Sequence, residues 1–546
     1  MLPDADPFRG RDAVLTFEPM GRRVALRTME TILEAAQSGG VELQAICAGD
    51  GTCGGCRVLS IEGRLSPPTE KERQLLTEAE LRGGLRLACQ TRVLGSASIE
   101  IPPESLTAAQ RLQVEDVEEG ASGRPGARPS APPSRLGLAI DIGTTKLALY
   151  LVDLDTGRTL ARHGALNPQV SYGEDLISRI AFTASHPGGA RVLRERLIER
   201  LNLSVAELCA GAGVAPDAIE DAVAVGNTVM HHLFAGLPVR TLGEAPYRPL
   251  RTDAMEFRAR DGGLRLAEKA RVFLPANVAG FVGGDHVAGL IATGFDATEE
   301  TSLLVDIGTN TEITLARDGR LVACSCPSGP AFEGAHITAG MRAAPGAIER
   351  VRIRGDAVDA YTIGRVPPVG VCGSGILDAV AEMWKAAVFD RRGNFRRAAT
   401  RVRRREREDE FLLVPGSGTG HGRDLVITRG DVNEIQLAKA AVRAGIDVLL
   451  AETATAPDAV GDVVIAGAFG SYLDPGSAVT AGLLPPFPAS RIRQIGNAAG
   501  AGARRMLASP ERRRAARDLA RRIEYVELAA HPAFHRGFVS AMGFGG

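Results

Sequence analysis

The sequence predicts a multidomain chain, with a small α+β module at the N-terminus followed by α/β lobes built on a duplicated hairpin. Three observations carry this. Four of the eight cysteines, Cys47, Cys53, Cys56 and Cys89, lie in the first 105 residues. Residues 119–135 are rich in Pro, Gly, Ser and Ala. Beyond them, an apolar run ending in Asp-Ile-Gly-Thr occurs twice, at 141–144 and at 306–309. A chain of 546 residues also exceeds what one hydrophobic core supports. The expected division is 1–105, a linker at 106–135, a middle domain at 136–217 and a C-terminal domain at 218–546.

Residues 13–18 and 22–27 alternate as two strands of a hairpin. Residues 31–37 read as a helix with Thr28 as its N-cap. The cysteine loop follows, and residues 57–62 and 97–101 read as further strands. The spacing C-x5-C-x2-C, with a distant fourth cysteine, is one residue wider than the plant-type iron–sulfur pattern. Four thiolates hold two irons, and the loop glycines let backbone N–H groups turn toward the sulfides. Cys47, Cys53, Cys56 and Cys89 are therefore the expected ligands of a [2Fe–2S] cluster, which moves single electrons. The linker cannot bury a core and reads as a tether that lets the cluster swing.

In the duplicated region, Leu136–Tyr150 and Ser302–Leu315 are each a buried strand, a tight turn and a second strand. Gly143, Thr144, Thr145 and Lys146 form the first turn; Gly308, Thr309, Asn310 and Thr311 form the second. Turns of this kind aim N–H and hydroxyl groups at one point and suit phosphate oxygens. Asp141 and Asp306, ending the first strands, are placed to hold hydrated Mg2+ or orient water. Lys146 adds a point charge. Two such turns facing each other pinch a triphosphate, and phosphoryl transfer needs mainly positioning and charge neutralisation. Further glycine motifs support a nucleotide site. Residues 462–471 are a strand running into Gly467 and Gly470, against which an adenosine lies. Residues 369–378, with Gly373 and Gly375, read as a loop into a helix at a hinge. On the helix 432–442, Glu434 and Lys439 lie off the face formed by Ile435, Ala438 and Val442. They either reach a ribose or adenine or belong to a solvated surface.

Charge is balanced, with 64 basic and 65 acidic residues, and aromatic content is 4%, so bulk electrostatics favour neither nucleic acid nor membrane. No apolar leader or long apolar run is present, so a cytoplasmic protein is expected. Some features stay open. Cys324, Cys326 and Cys372 are a second metal site or buried thiols. His231 and His232 face a cleft or serve structure. The arginine-rich run 391–407 docks an acidic partner or is a solvated insertion. Residues 167–179 contact a partner or hold a lobe interface.

The N-terminal element order resembles the β-grasp ferredoxin fold over residues 10–103. Residues 136–505 resemble the superfamily of acetate and sugar kinases, Hsp70 and actin (the actin-like, ribonuclease H-like ATPases). Its phosphate-1, phosphate-2, connecting and adenosine motifs match 141–146, 306–311, 370–378 and 466–470. Both modules in one chain resemble the ATP-dependent reductive activators of corrinoid proteins. The stretches 167–179, 225–232, 245–247 and 328–334 carry the likeness further. The resemblance implies a [2Fe–2S] cluster, ATP and Mg2+. It also implies a corrinoid methyl-transfer protein as partner, an upstream low-potential electron donor and a possible homodimer. The implied activity is ATP-coupled transfer of one electron to Co(II), restoring Co(I). No cysteine cluster lies near the C-terminus, so activators with a C-terminal [4Fe–4S] module match poorly. Three alternatives remain. They are an activator of another low-potential enzyme, a small-molecule kinase with a redox-sensing appendage, and a non-enzymatic redox sensor that binds ATP.

Overall fold

The computed structural model describes residues 13–18, 22–26, 30–38, 41, 43, 47, 49–102, 105, 135–173, 175–334, 336–341, 343–405, 408–420, 422–467 and 472–545. The expected linker, apart from Arg135, lies outside these residues, as do Thr28 and Gly470. The chain forms two compact units. One takes in Met1–Ala109 and Leu166–Leu197, the other Gln110–Ala165 and Ile198–Gly546.

The first unit holds a five-stranded sheet in the order Arg22–Ala25, Val14–Glu18, Val93–Glu100, Arg57–Leu65, Leu85–Leu87. Val14–Glu18 pairs antiparallel with Arg22–Ala25 and parallel with Val93–Glu100. The helix Ile32–Ser38 buries Ile32, Leu33, Ala35 and Ala36 in this unit's core. It starts on a reciprocal cap. The Thr31 hydroxyl accepts from Glu34 N–H at 3.1 Å, and the Glu34 carboxylate accepts from Thr31 N–H at 2.7 Å. Two short helices not expected from the sequence, Glu70–Leu75 and Glu78–Arg82, begin on capping boxes at Thr69/Glu72 and Thr77/Glu80. The stretch 167–179 belongs to this same unit. Gln37 donates to the Ser171 carbonyl at 2.5 Å, and buried Arg179 donates to the Gly173 carbonyl at 2.8 Å.

Glu72 is fully buried and ties the unit together. Its carboxylate takes a two-pronged contact from Arg86 at 2.9 and 3.0 Å, and accepts from Leu87 N–H and the Thr91 hydroxyl. Burial pushes its pKa up, but Arg86 and the backbone donors outweigh burial, and it ends below the usual range. These contacts hold the strand Leu85–Leu87, which delivers Cys89.

The second unit carries two six-stranded sheets with matching plans. In one, Leu136–Ile142 pairs antiparallel with Lys146–Asp153 and parallel with Ile219–Gly226. In the other, Ser302–Ile307 pairs antiparallel with Thr311–Arg317 and parallel with Asp462–Ala466. The duplication read from the sequence is thus a duplication of fold. The boundary expected at 217/218 cuts through the first sheet, because Ile219–Gly226 is hydrogen-bonded beside Leu136–Ile142. These central strands are covered on both faces, which is why they read as unbroken apolar runs. The helices Gly284–Thr293 and Ala498–Ala508 share one core with both sheets. They approach so closely that a Cβ at Gly502 would strike the Ala288 carbonyl.

Part of the arginine-rich run is answered by acidic residues that follow it in the chain. Arg403 meets Glu410 and Asp424, each at 2.7 Å, and Arg397 meets Asp409 at 3.3 Å. Cys324, Cys326 and Cys372 are buried free thiols.

Replacing Glu72 with Ala strands Arg86 without its buried partner and should cost about 3–5 kcal/mol. Thermal unfolding of the holoprotein, followed by the visible absorbance of the cluster, is expected to show a correspondingly lower midpoint.

Candidate nucleotide cleft and cysteine centre

In the first unit the four expected cluster cysteines come together. Cys47 and Cys53 are half-buried, Cys56 and Cys89 buried. The Cys47 and Cys53 sulfurs lie 3.3 Å apart, and Cys89 is close enough to interact with both Cys47 and Cys56. Interaction among the four thiols pulls Cys47 and Cys56 down and pushes Cys53 and Cys89 up. The loop around them turns at Gly49, Gly51 and Gly54, all with positive φ. A Cβ at Gly51 would lie 2.6 Å from Gln90 Nε2. Gly55 N–H points at the Cys53 sulfur at 3.5 Å, and Gln90 Nε2 reaches the Gly49 carbonyl at 3.2 Å. Converging thiols, an inward N–H and a loop too tight for side chains fit a [2Fe–2S] cluster.

In the second unit a cavity of about 230 Å3 opens between the duplicated turns. Gly143, Thr144, Thr145 and Lys146 line it from one side, and Gly308, Thr309 and Asn310 from the other. Asp141, Asp306, Gly373 and Gly467 line it too. Four helices begin at its wall. They are Thr228–Ala235 after Asn227, Gly284–Thr293 with Asp285, Gly373–Lys385, and Ala498–Ala508 after Asn497. Helix N-termini carry partial positive charge and unsatisfied N–H groups, so the wall favours an anion.

Carboxylates give the same cavity a site for a cation. Burial raises Asp141 to about 7, with an opposing hydrogen bond from Asn497 and repulsion from Asp306. Asp285 is raised to about 8 by burial and then by Asp141, and Asp306 to about 6 by burial. Glu312 goes well above its usual value through burial, with Asp285 and Asp306 adding to it. Crowded carboxylates beside anion-seeking helix ends suit a magnesium–polyphosphate pair. Among the described residues no three His, Cys, Asp or Glu side chains surround one ion-sized point. Mg2+ keeps most of its waters and takes one or two carboxylates, so it needs no such cage.

Asn497 donates to Asp141 at 2.7 Å, and Asn227 donates to the Thr144 hydroxyl at 3.0 Å. Neither residue was found from the sequence, nor was Asp285. Their signal is a strand or loop running into a helix cap, as in Gly226-Asn227-Thr228 and Gly496-Asn497-Ala498.

Several expected nucleotide contacts lie elsewhere. Lys439 is one of them. Its ammonium is buried and donates to the carbonyls of Ala541 and Gly543 at 2.6 and 2.7 Å, with the Phe544 ring beneath it. Burial lowers it to about 8. It pins the C-terminal segment and does not line the cavity. Glu434 also stays off the cavity, 3.8 Å from His336. Thr311 is buried and shares a hydrogen bond with Ser328 at 2.8 Å. Gly375 serves packing, since a Cβ there would strike the Ile348 carbonyl. His231 and His232 are buried away from the cavity, and His232 bonds the Thr228 carbonyl at 2.8 Å.

Comparison with known proteins gives three adjoining family matches. Residues 15–94 match the 2Fe-2S iron-sulfur cluster binding domain, 136–298 the RACo middle region, and 300–545 the C-terminal domain of RACo, the ASKHA domain. The chain is 35% identical over 418 residues to corrinoid activation enzyme RamQ of Eubacterium limosum, covering 75% of this chain and 70% of that protein. It is 25% identical over 441 residues to the [Co(II) methylated amine-specific corrinoid protein] reductase of Methanosarcina barkeri, covering 75% and 77%. The solved structure of a reductive activator for a corrinoid, iron-sulfur protein matches with a TM-score of 0.71 and 32% identity, over 97% of this chain and 98% of that one. Its cysteine centre, its duplicated glycine turns and these likenesses agree: the chain belongs to the family of reductive activators of corrinoid proteins.

Proposed function

We propose that this protein is an ATP-dependent reductase of a corrinoid protein, passing one electron to Co(II) and so restoring Co(I) for methyl transfer. The observation that carries the reading is the presence, in one chain of this family, of a four-cysteine centre and a cleft lined from two sides by the duplicated glycine turns. A [2Fe–2S] cluster, when bound, supplies single electrons. Cys47, Cys53, Cys56 and Cys89 hold it, and the glycine turns keep side chains from crowding it. Asp141 and Asp306 take the magnesium side of Mg-ATP, with Asn497 fixing the orientation of Asp141. The turns at 143–146 and 308–310 and the helix ends take the phosphates.

ATP has work to do because the Co(II)/Co(I) couple lies very low. For one electron, about 59 mV corresponds to ~1.4 kcal/mol. A state-dependent binding difference of about 10⁴-fold is worth about 5.5 kcal/mol, or roughly 240 mV. A nucleotide switch of ordinary size, changing how the activator grips its partner, therefore supplies the lift. An upstream low-potential protein refills the centre. No helix among the described residues is long and apolar enough to cross a membrane. We place the protein in the cytoplasm, where thiols such as its free cysteines stay reduced.

The decisive experiment reduces the purified protein, adds Co(II) corrinoid protein with and without Mg-ATP, and follows the Co(I) absorption band. Co(I) is expected only with Mg-ATP; equal and complete reduction without it would refute the reading. Cys53→Ser should abolish the cluster's visible absorbance and cobalt reduction while Mg-ATP binding persists. Asp306→Asn should lower ATP turnover on the order of a hundredfold by weakening the cation's hold on the phosphates. The pH dependence follows from the raised carboxylates. Their folded pKa values of about 6–8 exceed the unfolded value of about 3.9, so metal-free stability falls as pH rises through that interval. Mg2+ relieves the repulsion only once the protons have left. The rise in melting temperature on adding Mg2+ is therefore expected to be larger at pH 8 than at pH 6.

A further inference from the structure

A further carboxylate, Glu333, lines the cleft. Glu333 bridges the two phosphate turns. Its Oε2 accepts from the Thr145 hydroxyl at 3.1 Å and its Oε1 from the Thr309 hydroxyl at 2.5 Å. Thr145 belongs to the first hairpin and Thr309 to the second, so a single side chain spans the cavity from turn to turn.

Glu333 is held firmly on the side of the second turn. It ends the short helical turn Pro330–Glu333, whose Ala331 and Phe332 are buried in the core of the second sheet. At the start of the same loop, the Ser328 hydroxyl meets Thr311 at 2.8 Å and the carbonyls of Gly308 and Thr309 at 3.4 Å. After Glu333 the chain turns at Gly334, with φ of 82°, where a Cβ would strike the Met341 carbonyl. The loop is thus bonded to the second turn at both ends, while its last side chain reaches across to the first.

A threonine hydroxyl has one proton to donate. In this arrangement both protons go to Glu333, yet the same two hydroxyls line the cavity where the phosphates are received. A phosphate oxygen that takes either proton must displace the carboxylate, and a carboxylate facing a polyphosphate adds like-charge repulsion. We propose that Glu333 competes with the nucleotide's phosphates for Thr145 and Thr309, and so sets how tightly Mg-ATP is held between the two turns. This deepens the ATP-dependent reading given above and rests on it. The consequence is a built-in threshold, in which Mg-ATP enters by undoing the bridge that ties one hairpin to the other.

The side-chain requirements are specific. Gln keeps the shape but offers one acceptor oxygen and no charge. Asp is one methylene short and cannot span both hydroxyls. Ala offers nothing.

The test measures Mg-ATP affinity by titration calorimetry on the full-length holoprotein, for the wild type and for Glu333→Gln, Glu333→Asp and Glu333→Ala. Melting temperature and cluster absorbance identify the variants that are folded. The expected result is at least fivefold tighter binding in Glu333→Gln and Glu333→Ala, with the ATP concentration for half-maximal Co(I) formation falling by the same factor. A purely structural role would not move affinity in that direction. Glu333→Asp should also bind more tightly, and it stands in if Glu333→Ala fails to fold. Unchanged or weaker binding in Glu333→Gln overturns the competition. So does an unchanged affinity with ATP turnover reduced a hundredfold, which would make Glu333 a water-orienting base. Wild-type protein that binds no Mg-ATP defeats the parent reading as well, whereas tight wild-type binding that Glu333→Gln leaves unaltered defeats only this proposal.

Discussion

The second unit is organised around the cost of concentrating negative charge in a place poor in water. Asp141, Asp285, Asp306 and Glu312 crowd one cavity, and burial holds all four above their usual pKa values. Lys146 is the one basic residue among the described residues lining it. Isolated, such a cluster is unfavourable, because desolvation and mutual repulsion act in the same direction. It becomes favourable when a divalent cation arrives with an anion to fill the opposite wall. The four helix ends and two glycine turns are that wall. The duplicated sheets exist, in effect, to carry one acidic strand end each to the same point.

The first unit meets the converse demand. A thiolate centre tolerates few neighbours, so its loop is glycine-rich and its supports stand one step away. Glu72 and Arg86 are the main support. They are a buried ion pair whose spare valences are met by Thr69, Leu87 and Thr91, as a charge removed from water requires. Lys71 closes the other side of the loop by donating to the Asp50 carbonyl at 2.5 Å. The cysteine centre and the two-turn cleft thus rest on different physical devices.

Much of this was legible in the sequence because it obeys local rules. The cysteine spacing, the paired Asp-Ile-Gly-Thr turns and the apolar runs around them are contiguous patterns, and each marks a structural feature directly. The short helices at 70–82 carry a local signal too, in their Thr-x-x-Glu boxes. Residues that depend on tertiary placement were not legible. Lys439 has the helical spacing of a surface residue, and only the folded C-terminal segment, with carbonyls at Ala541 and Gly543, explains its burial. Asn497 lies 356 residues from Asp141, to which it donates. Glu333 likewise gains its meaning from Thr145, 188 residues away. The expected boundary at 217/218 falls inside the first sheet for a related reason. Parallel pairing of Ile219–Gly226 with Leu136–Ile142 is a long-range contact, whereas the sequence shows only hairpins.

If the carboxylate cluster is the central constraint, magnesium is what turns ATP from a repelled anion into a ligand. The most direct measurement is calorimetric titration of the holoprotein with ATP, once with excess Mg2+ and once with the metal chelated. The charge arrangement predicts binding at least a hundredfold weaker without the metal, with the gap widening from pH 6 to pH 8 as the carboxylates ionise. Equal affinity in the two titrations would contradict the account.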